Sequence, residues 1–356
     1  MSATLGHRER LLRSLEYRDI DRPPAFFRAD LCVRQRLCAD LGLKDEAALI
    51  GHFGADAIHI GVPYRKDLLR QTAEPDTFYD IFGNKVRSMR YGDIRSEVVV
   101  EPVLTGAVDI DDIHAISWPG RGLLDLERAE KESRTARETG LAVYGGVWAS
   151  IFSHSRFMVG EEEYLTSLVT RPDFICCLLD RITDCFIEMN DAYLSACAQY
   201  LDIYYFGSDF GTQDSMFISA EMFSRLFNKS LKRIIEHAKS FGLKVMYHTC
   251  GSVREIIPEL IESGVEILDP VQVSAKNMSA ANLAEAHKGE ICFHGGISTQ
   301  KTLPLANPEE IRHEVKNTID RLGPLGYVVS PDQELISDVP TENIEAMFRA
   351  VIDYRC

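Results

Sequence analysis

His248 and Cys250 stand two residues apart at the end of an apolar run, Leu243–His248. In extended backbone, residues two apart face the same side. An imidazole and a thiol so placed can share one soft metal ion, zinc above all. Ten His and nine Cys in 356 residues give roughly 0.25 chance His-x-Cys matches. The pair therefore counts through its place at a strand end, and the plain alternative is a hydrogen-bonded histidine beside an inert thiol. Asp209 follows another apolar run, within Gly207-Ser208-Asp209-Phe210-Gly211-Thr212-Gln213. It reads as a carboxylate that binds or protonates a substrate, or as a loop-capping Asp. His294, ahead of Gly295-Gly296, reads as a general acid, a ligand or a satisfied rim residue. Trp148 and Tyr144 offer faces to a flat substrate, with Phe152 nearby, and Gln213 and Gln333 offer polar contacts. The remaining cysteines form no CxxC pair and read as free thiols. Cys176, Cys177, Cys185 and Cys197 fall in one helical stretch, Phe174–Cys197, as packing residues, and Cys292 is structural.

Something must hold these residues at one rim. Eight β-rich runs recur along the chain: Ala25–Ala29, Ala57–Gly61, Leu141–Val147, Leu201–Phe206, Leu243–His248, Val265–Leu268, Glu290–His294 and Gly326–Ser330. Several are continuously apolar, as strands covered on both faces are. Helices with explicit signals separate them. Asn307-Pro308-Glu309-Glu310 is a cap, a first-turn proline and two first-turn acids, and Gly323-Pro324 ends that helix. Ser252 to Glu255 has capping-box spacing, with Pro258 predicting a kink just after it. Met222 to Ala238 carries one apolar stripe. Strands alternating with helices eight times predict a (β/α)8 TIM barrel, whose active site lies at the C-terminal ends of the strands. An N-terminal helical extension precedes it. About 80 residues separate the second and third strands, more than one crossover needs. There Lys85–Tyr91 and Ile94–Val100 flank a Gly92-Asp93 turn, and Leu123–Glu138 reads as a helix. The expected organisation is one domain over 1–356, with 62–140 inserted over the barrel mouth.

Charge and hydropathy narrow the function. Lys plus Arg is 39 against 54 Asp plus Glu, a formal charge of −15, which argues against nucleic acid as a partner. No run is long enough to span a bilayer and no signal-peptide core opens the chain, so a cytoplasmic location is expected.

In Arg8–Pro24, Phe78–Val86, Gly207–Gln213, Lys244–Ser252, Phe293–Ser298 and Ser330–Ile344 the chain resembles the uroporphyrinogen decarboxylase superfamily, which includes zinc-dependent methyltransferases acting with corrinoid proteins. The resemblance implies a (β/α)8 barrel. The decarboxylases of that superfamily carry Arg-Gln-Ala-Gly-Arg after the first strand to hold substrate carboxylates, where this chain has Arg28-Ala29-Asp30-Leu31-Cys32. The methyltransferases that charge coenzyme M hold zinc with His-x-Cys and a distant Cys. His248 and Cys250 match the pair, while Gln333 falls at the third position. Neighbouring Glu334, or Asp332, then becomes the candidate third ligand. The implied activity is zinc-dependent transfer of a methyl group between a small thiol or methoxylated compound and a corrinoid carried by a partner protein. Asp209 and His294 are then the catalytic candidates, and Trp148, Tyr144, Gln213 and Gln333 the substrate contacts. A homodimer fits this reading. Two other readings stay open: a metal-free decarboxylase using Asp209 as its acid, and a non-catalytic corrinoid- or tetrapyrrole-binding protein.

Overall fold

Every second residue of the apolar runs points inward, and this alternation builds the centre of the molecule. A computed structural model describes residues 4–91 and 94–356, without the side chains of Tyr91, Ile94 and Arg95. Its strands are β1 (Ala57–Ile60), β2 (Thr77–Tyr79), β3 (Lys85–Tyr91), β4 (Ile94–Glu101), β5 (Ala142–Gly145), β6 (Ile203–Gly207), β7 (Lys244–His248), β8 (Ile267–Val271), β9 (Cys292–Ile297) and β10 (Tyr327–Pro331). Seven of them form one curled sheet in the order β1-β5-β6-β7-β8-β9-β10, with every neighbouring pair parallel.

Residues 24–27 take the eighth position. Phe26 N–H donates to the Val329 carbonyl at 3.0 Å, Val329 N–H to Pro24 at 2.9 Å, and Asp56 N–H to Ala25 at 2.8 Å. This segment thus lies between β10 and the start of β1 and closes the barrel. It is less regular than the expected strand Ala25–Ala29, with bridges only at Ala25 and Ala29. The cause is local: the Ala25 N–H is taken at 2.9 Å by the Asp56 carboxylate, not by backbone.

Inside the barrel, the lower level is apolar. Phe26, Ala57, Ala142, Ile203, Met246, Ile267, Cys292 and Val328 pack there with Leu11 and Leu15. The last two come from the N-terminal helix His7–Leu15, which plugs the strand starts. One inward position further along each strand, the types change to Arg28, His59, Tyr144, Tyr205, His248, Asp269, His294 and Ser330. The outward residues, such as Val143, Phe206, Val245, Leu268, Phe293 and Val329, join a second core under the surrounding helices.

The helix signals are mostly met. Asn307 accepts from Glu309 and Glu310 N–H, Glu310 bonds back, and the helix Pro308–Leu322 stops at Gly323. Two expectations are corrected. The Met222–Ala238 stripe is two helices, Ala220–Leu226 and Asn228–Ser240. They part at Phe227 (φ −107°), whose ring sits among Phe152, Phe210 and Phe223. Pro258 makes no kink, because the helix begins only at Ile257 and a first-turn proline has no N–H to lose. Ser252 caps nothing there, its hydroxyl donating to Lys276 O at 2.8 Å.

On the helix Pro172–Cys197, Cys185 and Cys197 are buried as expected, whereas Cys176 is exposed, a correction to its packing role. Between β1 and β5, strands β2, β3 and β4 make an antiparallel sheet, and a helix runs over Leu126–Glu138. The expected Gly92-Asp93 turn lies outside the described residues, although its flanks Tyr91 and Ile94 pair. Among the described residues, no helix is long and apolar enough to cross a membrane.

Candidate active site

Two glycines bring the chemistry together. The loop after β6 carries Asp209 and the loop after β7 carries Cys250. A Cβ on Gly211 would lie 2.5 Å from Cys250 O, and a Cβ on Gly251 (φ +84°) would lie 2.5 Å from the Gly211 carbonyl carbon. Only paired glycines let these loops touch. Ser252 N–H then donates to Thr212 O at 2.8 Å, and Cys250 N–H to Asp209 Oδ1 at 3.0 Å. His248, the last residue of β7, completes the group. Its Nε2 is 3.2 Å from Cys250 Sγ and 3.4 Å from Asp209 Oδ1.

Asp269, on β8 beside His248, is the hub beneath. Its carboxylate is fully buried and takes bonds from four side chains. Arg28 Nη1 donates to both oxygens at 2.9 and 3.1 Å. Tyr205 donates its hydroxyl at 2.8 Å, His248 Nδ1 lies at 2.6 Å and His294 Nδ1 at 2.5 Å. Burial alone raises a carboxyl pKa, but Arg28 and the two imidazoles overcome it and hold Asp269 well below the usual range. An ionised carboxylate only accepts, so both Nδ1 atoms carry hydrogen. With Nδ1 bonded to Asp269, Nε2 is the atom that His248 turns toward Cys250 and Asp209. For His248, burial opposes charging, yet Tyr205, Cys250, Asp269 and Asp209 together raise its pKa well above the ordinary value. Asp209 is pulled the other way: despite burial, His248 and the Cys250 N–H bring it down to about 2. It is an acceptor at neutral pH, not a source of protons.

The three ligand atoms of Asp209, His248 and Cys250 lie within 4.8 Å of one another. Tetrahedral zinc with these ligand types needs separations of roughly 3.4–3.6 Å, so the set fits. A carboxylate behind the histidine is the usual support of such a ligand. Glu334, the expected third ligand, is not in this group. Burial raises its pKa, and its carboxyl bonds Asp30 and faces Arg28 and Arg34. Asp332 is buried, accepting Thr299 N–H and hydroxyl at 2.8 Å each. Gln333 does reach the site, donating through Nε2 to Cys250 Sγ at 2.9 Å.

A cavity of about 1000 Å³ opens beside this group, lined by His248, Trp148, Tyr144, Tyr205, Gln333 and others. Three of the expected substrate contacts therefore face one space. Gln213 does not line it, and instead bonds Gln300 at 3.1 Å on the rim. Phe152 is buried against Phe210 at 4.7 Å, a core residue. His294 is fully buried and does not line the cavity; it positions Asp269, and burial lowers its pKa against the pull of Asp269. Arg28, Tyr205, Asp269 and His59 escaped the sequence reading. Their signal was the alternation itself, since each stands two residues after an inward apolar or aromatic one.

The sequence profile of the family described as Uroporphyrinogen decarboxylase (URO-D) matches residues 92–354. A methionine synthase of Methanothermobacter thermautotrophicus is 27% identical over 105 residues, covering 29% of this chain and 34% of that protein. The match spans only about a third of that relative's length. A solved structure, a methyltransferase from Methanosarcina mazei, superposes with a TM-score of 0.70 over 98% of this chain and 99% of that one, at 17% identity. At that identity the likeness is one of fold.

Proposed function

From the chain's membership of the uroporphyrinogen decarboxylase (URO-D) family, we propose that it is a zinc-dependent methyltransferase of that family's methyltransferase-like branch. It moves a methyl group between a small thiol or methoxylated compound, held in the cavity, and a corrinoid carried by a partner protein at the barrel mouth. The observation that carries this reading is the convergence of Asp209, His248 and Cys250 at the mouth over the buried Asp269. Bound by these three, zinc supplies Lewis acidity to a thiol or ether oxygen. Asp269 keeps the His248 imidazole in one tautomer and orientation. Gln333 donates to the Cys250 sulfur and so restrains its basicity. Trp148, with 38% of its surface exposed, and Tyr144 pack the substrate and displace water. Val62 and Tyr64 contribute to the cavity wall, which supports reading 62–140 as part of the mouth of a single domain.

The carboxy-lyase reading is weakened by the state of Arg28 on the wall. Its Nη1 already donates to both oxygens of Asp269 and its Nη2 to the Tyr205 hydroxyl at 3.3 Å, so it is engaged within the wall. The test is metal content followed by activity. Stoichiometric zinc that is lost in the His248→Ala/Cys250→Ala variant, with methylation of cob(I)alamin or demethylation of methylcob(III)alamin followed by absorbance, supports the proposal. Metal-free protein that turns over a carboxylated substrate would sink it. Tight corrinoid binding without turnover favours the non-catalytic reading.

A further inference from the structure

His59 lines the same cavity, and nothing above gives it a role. It stands on β1, paired with Tyr144 of β5. Its ring centroid is 5.0 Å from that of Tyr144 and 5.9 Å from that of Tyr205. The side chain is open to the cavity, yet among the described residues neither ring nitrogen has a hydrogen-bond partner. Because the ring is open to the cavity, solvent meets its nitrogens in the free protein and a ligand group can take that place when the cavity is filled. Burial, with Arg28 and Arg34 near, lowers the imidazole to about 4. The ring is therefore neutral near pH 7, with one donor and one acceptor.

That pair of functions selects a ligand group. A hydroxyl matches both, since it donates and accepts. An ammonium uses only the acceptor and meets the field of Arg28 and Arg34. A carboxylate or sulfonate uses only the donor and leaves the acceptor unmatched, and Arg28 already carries Asp269. The walls beside His59 are flat and aromatic: Tyr144, Tyr205 and Trp148, the last two 5.2 Å apart by ring centroids. We propose that His59 determines specificity by hydrogen-bonding a hydroxyl group on an uncharged, planar ligand that lies against Tyr144 and Trp148. This deepens the reading of the cavity as a substrate site, while standing apart from the group of Asp209, His248 and Cys250, to which His59 does not belong.

Phenol, toluene and benzoate test it by isothermal titration, because they share a ring and differ in the group offered to His59. The wild type is expected to bind phenol roughly tenfold more tightly than toluene, and benzoate no better than toluene. His59→Phe erases the phenol preference, and His59→Gln, which keeps a donor and an acceptor, retains part of it. Chelator-treated wild-type protein keeps the preference in full, so failure of the metal reading leaves this result untouched. Equal binding of phenol and toluene by the wild type, strongest binding of benzoate, or an undiminished phenol preference in a folded His59→Phe each overturns the proposal. The wild-type comparison decides the matter if the Phe variant does not fold.

Discussion

Replacing Asp269 by Asn removes one charge and leaves four partners in place. The guanidinium of Arg28, only 15% exposed, loses its counter-ion. The amide also turns a donor toward Tyr205, His248 or His294, all of which donate to that carboxylate now. Breaking a buried ion pair from one side costs about 3–5 kcal/mol. With an unfolding entropy near 2.1 cal/mol/K per residue, a chain of this length should lose roughly 4–7 °C in Tm. Zinc affinity should fall about 10- to 100-fold, because His248 is no longer held in its ligating tautomer. Thermal and urea unfolding measure the first effect and chelator competition the second. Removing both charges in Arg28→Met/Asp269→Asn should recover part of the stability, though none of the zinc affinity. An Asp269→Asn protein with wild-type Tm and wild-type zinc binding refutes the hub.

Three further outcomes follow from other contacts. Burial pushes Asp332 up to about 6, against the pull of Thr299. The folded state then holds the proton more tightly than the unfolded chain, so stability falls as pH rises from about 4 to about 6 and is fully reduced above that. Asp332→Asn should flatten this slope and gain roughly 1–3 kcal/mol at pH 7.5; parallel urea midpoints at pH 4.5 and 7.5 for both proteins would contradict it. Gln333→Cys places a second thiolate beside Cys250 and should tighten zinc by ~10-fold or more, read by chelator competition, with unchanged affinity showing that position 333 does not face the metal. Gly211→Ala drives a methyl group into the Cys250 carbonyl, and should loosen zinc through separation of Asp209 from Cys250 while costing about 1–3 kcal/mol; wild-type zinc affinity would show that the loop contact does not set the ligand geometry.

Local patterns carried the barrel. Seven of the eight runs, the Asn307 cap and the stop at Gly323 depend on neighbours within a few residues, and they are where the sequence places them. The helix break at Phe227 depends on an aromatic cluster assembled from distant segments, which periodicity along one stretch does not show. The site divides in the same way. His248 and Cys250 are two apart and were legible. Arg28 and Asp269 are 241 residues apart, and their pairing exists only once the barrel is closed. The third member of the candidate metal group lay in the choice between two loops. Glycine contact drew Asp209 inward, whereas Glu334 was turned to Asp30, and neither fact is written in spacing.

The barrel's closing seam also sets the timing of its synthesis. Ala25 pairs with Val329, so the first strand must wait for about 300 residues to be made, roughly 15–60 s at common translation rates. During that interval β5 to β9 can assemble as an open sheet with bare edges, a form prone to pairing with other chains. His248 and Cys250 are already near one another by then, but Arg28 has no fixed place beside Asp269. A nascent chain arrested short of β10 would therefore carry His248 and Cys250 without the finished charge balance beneath them. Completion of the ring seats Arg28 beside Asp269, so the last strand made positions the first.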